Sequence, residues 1–150
     1  MKRLNWILFL LIFIWCLGIL WELIINIFPN AIYAFPILKN NYSIVCHTQS
    51  EKLFTYLNYR TLTCSRCTGI YFGSLVSIFL IIVGLRKNIS TKFLLVISLP
   101  MFVDVILTTF NFYEYSQFLA LFSGLLLGSS GFFYIHTSIV ELLLENKGKS

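Results

Sequence analysis

Residues 45–73 read VCHTQSEKLFTYLNYRTLTCSRCTGIYFG and contain three of the chain's four cysteines and one of its two histidines. Cys46 and His47 are adjacent, and Cys64 and Cys67 form a Cys-x-x-Cys pair. Three thiols and an imidazole can close a four-ligand tetrahedral site of the kind zinc takes. From about Cys64 or Thr68 the sequence turns apolar and stays so to Leu85. The candidate ligands therefore stand where a surface loop enters a membrane helix, and the rest of the chain is read outward from that junction.

The surroundings are membrane-like throughout. Of 150 residues 58% are hydrophobic and 17% aromatic, and only 11% are charged, which no average soluble domain shows. The net charge of +5 does not point to nucleic acid, because the basic residues cluster at the ends of apolar runs rather than along one polar face. After Met1-Lys2-Arg3 the first run extends to Phe28, broken only by Asn5, Glu22 and Asn26. It is too long for a signal-peptide core and lacks a small-x-small cleavage site, so it is expected to stay as a membrane helix. Pro29, Asn30 and Pro36 end it. Further runs stop at Arg86 and Lys87, cover Phe93 to Phe110 with Pro100 and Asp104 inside, and reach from Phe118 to Leu144.

The expected fold is all-α. It is a single integral membrane domain over 1–150, a polytopic bundle of about four helices near 5–27, 66–85, 93–110 and 118–144, with a Cys/His loop over 40–67. Lys2, Arg3, Arg86, Lys87, Lys92, Lys147 and Lys149 fall on one side of this bundle, and Lys39, Lys52, Arg60 and Arg66 on the other. The positive-inside rule places both termini of a multi-pass cell-membrane protein in the cytoplasm and the Cys/His loop outside.

Within the loop, Ser50 is a candidate cap for a short amphipathic surface helix. Leu53, Phe54 and Leu57 would lie on its apolar side and Glu51, Lys52, Thr55 and Asn58 on the other. Gly69, Gly73 and Ser77 recur every four residues in the second membrane helix, as do Ala120, Gly124 and Gly128 in the fourth. Such strips let two backbones approach closely, and they predict that these helices pair. Trp6, Trp15 and Trp21 need no role beyond packing and interface anchoring.

Cys46-His47 followed by Arg66-Cys67-Thr68-Gly69-Ile70-Tyr71-x-Gly73 resembles the prokaryotic membrane family called domain of unknown function 2085. Its members carry CH-x-x-P-x-R-S-F and then C-A-R-C-T-G-I-Y-x-G. Pro100 with Asp104, and Ser123-Gly124-Leu125-Leu126-Leu127-Gly128, are similar to the family's later Pro-x-x-x-Asp-Gly and Thr-Gly-Leu-Leu-x-Gly runs. The resemblance covers roughly residues 42–131. This sequence departs from the pattern at Ser50, Lys52 and Leu53 after the Cys-His pair, at Val105 and at Ala120. The family is uncharacterised, so the resemblance implies a fold and a metal site but no activity.

The donor set Cys46, His47, Cys64 and Cys67 makes zinc the expected ion, and another transition metal fits the same ligands. Neighbouring side chains diverge, so His47 either completes the set or hydrogen-bonds to it. Arg66 and Lys52 stand near enough in sequence to favour thiolates. A competing reading is thiol-disulfide exchange through Cys64 and Cys67 with Cys46 as the resolving thiol, and a plain disulfide is its simpler form. A third reading is a metal-dependent membrane enzyme with one open coordination position.

Glu22 and Asp104 fall on the cysteine side of their helices at 1.5 Å per residue, where buried charge needs a partner, and Arg66 is the candidate. His136 reads as a histidine favoured by a helix C-terminus, and Cys16 as a buried small hydrophobe. The expected partners are the lipid bilayer and either a second copy of the chain or another subunit of a membrane complex.

Overall fold

The computed structural model describes residues 2–46, 52–56, 59–85, 89–110, 112 and 114–148. Its order is α1 (Lys2–Ile19), α2 (Trp21–Ile27), a 3-10 turn (Pro29–Ala34), α3 (Phe35–Val45), β1 (Leu53–Tyr56), β2 (Tyr59–Cys64), α4 (Ser65–Val83), α5 (Thr91–Thr109) and α6 (Gln117–Gly148). Three of these, α4, α5 and α6, are long and apolar enough to cross a membrane, and the bent pair α1 and α2 can supply a fourth span. The architecture is a polytopic membrane bundle carrying one small two-stranded sheet.

The helices alternate in direction. Asn5 near the start of α1 meets His136 of α6 at 3.1 Å, and Thr91 at the start of α5 meets Tyr134 of α6 at 3.2 Å. At the other end Arg66 in the first turn of α4 reaches Asp104 of α5. The cysteines share that end with the start of α6, whose Gln117 Oε1 accepts the Thr55 N–H at 3.3 Å.

The small-residue strips are the seam between α4 and α6. A Cβ on Gly69 would collide with the Leu121 carbonyl and one on Gly73 with that of Leu125. From the other side, a Cβ on Gly124 would meet the Arg66 carbonyl and one on Gly128 that of Ile70. With no side chains between them the backbones touch, and dispersion and polar contacts replace the hydrophobic effect that lipid does not supply. Ser77 Oγ adds a bond to the Ser129 carbonyl at 2.9 Å. Helix α4 ends at Gly84, whose φ of 107° lets its N–H and that of Leu85 close back on Ile81 and Leu80.

Two local expectations are corrected. The first apolar run is not one helix over 5–27: it breaks at Leu20 and α2 leaves α1 at 73°. The break lets the chain fold over itself. Tyr42 of α3 buries its ring and donates its hydroxyl to the Trp15 carbonyl at 2.7 Å, through space that a Cβ on Gly18 would occupy. Ile19, Tyr42 and Leu62 form a small core with Trp15, Trp21 and Tyr71 around it.

The predicted amphipathic helix after Ser50 is the second correction. Leu53–Tyr56 pairs antiparallel with Tyr59–Cys64, and Ser50, Glu51, Leu57 and Asn58 lie outside the described residues. Aromatic and β-branched residues make up three of the four positions of β1 and half of β2, and packed against other elements they favour the pleated backbone. The pairing is irregular between Leu53 and Thr55. There Thr61 Oγ1 accepts the Phe54 N–H at 3.2 Å and donates to the Thr63 carbonyl at 2.8 Å, satisfying groups that the ladder leaves open.

Candidate metal centre

Each cysteine of the opening motif occupies the end of an element. Cys46 is the extended residue that caps α3, its N–H bonded to the Tyr42 carbonyl at 2.9 Å. Cys64 closes β2 and is the N-cap of α4, and Cys67 lies in the first turn of that helix. The sheet and the α3 fold-back bring two segments 18 residues apart together, until the sulfurs of Cys46, Cys64 and Cys67 all lie within 4.8 Å of one another. Sulfurs sharing a tetrahedral zinc at about 2.3 Å would stand roughly 3.8 Å apart, so the cluster needs little contraction to hold an ion.

Backbone chemistry favours negative charge there. The Cys64 N–H donates to Cys46 Sγ at 3.2 Å. Cys64 is itself the N-cap residue of α4, so the positive end of that helix faces the region of Cys64 and Cys67. Without a cation, crowding works the other way: the hydrogen bond with Cys46 pushes the Cys64 thiol above the ordinary thiol range, the one with Cys67 pulls it down, and burial adds to the rise. Three thiolates this close would repel one another unless a cation stood among them.

The remaining predicted residues fall around this triad or away from it. His47 lies outside the described residues. Arg66, expected near the thiols and as a partner for the buried carboxylates, turns its guanidinium to α5. Nε and NH2 bond Asp104 Oδ2 at 2.8 and 2.6 Å, NH2 lies 3.4 Å from Thr108 Oγ1, and the guanidinium carbon sits 5.3 Å from the Tyr115 ring centroid. Asp104 is thus partnered, with 8% of its side chain exposed against 14% for Arg66.

Glu22 does not share that network. It accepts the Arg60 backbone N–H at 2.7 Å and so ties α2 to β2. His136 is not at a helix C-terminus, because α6 runs on to Gly148; it bonds buried Asn5 and stacks on Phe132. Cys16 is buried and belongs to no cysteine cluster.

Sequence reading missed the hydroxyls around the cysteine-bearing turn. Thr63 and Thr68 hydroxyls lie 2.9 Å apart across the β2–α4 junction, and Ser65 Oγ donates to the Lys52 carbonyl at 3.2 Å. All three residues are buried. Their signal was present as Thr63, Ser65 and Thr68 alternating with the two cysteines, but reading it required knowing that a strand meets a helix there.

A profile of predicted membrane proteins, domain of unknown function 2085, matches residues 46–134, from the first ligand candidate to well inside α6. The chain belongs to this family. An uncharacterized protein of Methanocaldococcus jannaschii is 31% identical over 109 residues, covering 69% of each chain. A second uncharacterized protein, from Methanothermobacter thermautotrophicus, is 28% identical over 83 residues, which is 54% of this chain and 75% of that one. No solved structure matches. Contact with the lipid bilayer follows from membership of this membrane family.

Proposed function

We propose that this member of the family is a multi-pass membrane protein in which Cys46, Cys64 and Cys67, with His47 as the fourth ligand, hold one zinc ion of mainly structural effect. The observation that carries the reading is the convergence of three sulfurs, within 4.8 Å of one another, from two separate segments. A disulfide joins two sulfurs and leaves the third unused, whereas a metal uses all three. The ion would cross-link the end of α3, the hairpin and the start of α4, and in a site of this kind binding free energy is folding free energy.

The lysine and arginine asymmetry supports placing this end of the bundle outside the cell and both termini in the cytoplasm. With the loop anchored, the protein suits the role of a scaffold or accessory subunit in a membrane complex.

Cobalt substitution tests the donor set. Cobalt(II) bound by three thiolates gives strong sulfur-to-metal charge-transfer absorption, which Cys46→Ser, Cys64→Ser or Cys67→Ser should each weaken. His47→Ala should shift the visible ligand-field bands while sparing the charge-transfer intensity. Spectra of octahedral cobalt in the unaltered protein would remove the metal reading. Reversible Cys64–Cys67 disulfide formation in the same metal-free protein would then favour the redox alternative.

A further inference from the structure

Helix α5 touches the rest of the bundle in an unusual way: it is fastened at its two ends and hollow between them. At the cysteine end Asp104 holds Arg66, and at the other Thr91 meets Tyr134. Between these fastenings two cavities lie along the α5–α6 contact, of about 520 and 460 Å³. Of the α5 residues that line them, Phe93, Ile97, Pro100, Asp104 and Leu107 recur every three or four positions and share one helical face, and Val103 stands beside that face. Leu126 of α6 borders both chambers, which follow one another along the same face of α5 and are taken together as one crevice.

The floor of this crevice is buried and its rim is not. Asp104, Ser123 and Ser130 are at most 8% exposed, while Val103, Leu119 and Phe122 at the mouth are 50 to 60% exposed. The crevice therefore opens sideways, along helices that are long and apolar enough to cross a membrane. From Phe93 to Leu107 it extends about 21 Å, more than the roughly 15 Å of one hydrocarbon leaflet. Left empty, its walls would lose their dispersion contacts, and so apolar a lining does not hold water.

We propose that the α5–α6 crevice is a binding site for one phospholipid acyl chain, seated with its glycerol end level with Asp104 and its methyl end toward Phe133. The direction follows from charge. Asp104, which lines the near chamber, holds Arg66 beside the Tyr115 ring, whereas the polar groups of the far chamber are only the serines Ser129 and Ser130 among leucine, isoleucine and phenylalanine. A linear chain fills a slot of this length and width; the exposed outer face of α5, with Leu95, Leu99, Phe102 and Ile106, offers only a convex surface to ordinary lipid. The proposal does not depend on a metal at the cysteines.

The test uses the full chain reconstituted in phosphatidylglycerol liposomes containing a trace of lipid with a photoactivatable diazirine. With the diazirine near the glycerol end, adducts should concentrate on Val103 and Phe122, at mid-chain on Leu126, and near the chain end on Phe93 and Phe133. Labelling of Leu99 and Phe102 should be weaker and indifferent to probe position. Native mass spectrometry of detergent-purified protein should show one retained phospholipid. Ser123→Phe, and independently Val103→Trp, should remove both the retained lipid and the crevice adducts, and the Leu99 and Phe102 adducts serve as the folding control.

Adducts spread evenly over α5 and unchanged by both variants would overturn the proposal. Reversed depth order would do so too, as would crosslinks between α5 and a second copy across the crevice mouth.

Discussion

Cys64 is the residue at which the two chemical tendencies of the site meet. Its thiol is raised above the ordinary range by the hydrogen bond with Cys46 and by burial, so without an ion it holds its proton at neutral pH. Metal binding must displace that proton, and the apparent zinc affinity should therefore fall as pH falls, with proton release on binding. Calorimetry in two buffers of different ionisation enthalpy measures the number released; zero protons would mean that thiolates are not the ligands.

Arg66 and Asp104 make a second residue-scale case. Both are largely buried, and removing one partner leaves a charge without compensation in a region that solvates it poorly. Asp104→Ala should cost about 3 to 5 kcal/mol of stability, and the double replacement Arg66→Met with Asp104→Leu should recover most of it. A double-mutant cycle in denaturant checks this, and strictly additive losses would show that the pair is not coupled.

At the scale of elements, the α4–α6 seam makes a sharp contrast between glycines. Gly128→Leu places a side chain against the Ile70 carbonyl and should destabilise by at least 1 to 3 kcal/mol, on the order of overpacking in a core. A Cβ on Gly131 meets nothing within 4 Å, so Gly131→Ala should be neutral or stabilising by roughly 0.5 to 1 kcal/mol. Thermal melts of the two variants compare them directly, and equal effects would contradict the seam. This seam was legible in the sequence, because every-fourth spacing of small residues has one geometric meaning on a helix. The hairpin was not: Leu53, Phe54 and Leu57 satisfy a helical spacing as well as Tyr56, Tyr59, Thr61 and Thr63 satisfy a strand, and only packing on α6 and α2 decides between them. The break at Leu20 was equally hidden, since no proline marks it and it goes with a long-range contact, Tyr42 seated on Gly18. The cysteine triad lay between these cases. Its members were readable by type, but their meeting depends on a fold-back that the sequence does not announce.

For the whole molecule, the cysteines occupy the point where the extra-helical segment is bound to the bundle. Cys46 ends the fold-back that packs on α1, Cys64 ends the hairpin, and Cys67 begins the helix whose glycines hold α6. An ion shared by the three would turn these contacts into one cooperative unit, and chelation should loosen the hairpin and α3 before it separates α4 from α6. Hydrogen exchange after treatment with a chelator would show that order, and uniform loosening of all helices would argue against a local clasp. The most direct measurement is the zinc content of the detergent-purified protein under reducing conditions, beside Cys46→Ser, Cys64→Ser and Cys67→Ser. The account predicts one zinc per unaltered chain and its loss in all three variants. Metal-free protein in every preparation, with thiol counting that finds two of the three cysteines joined, would contradict it.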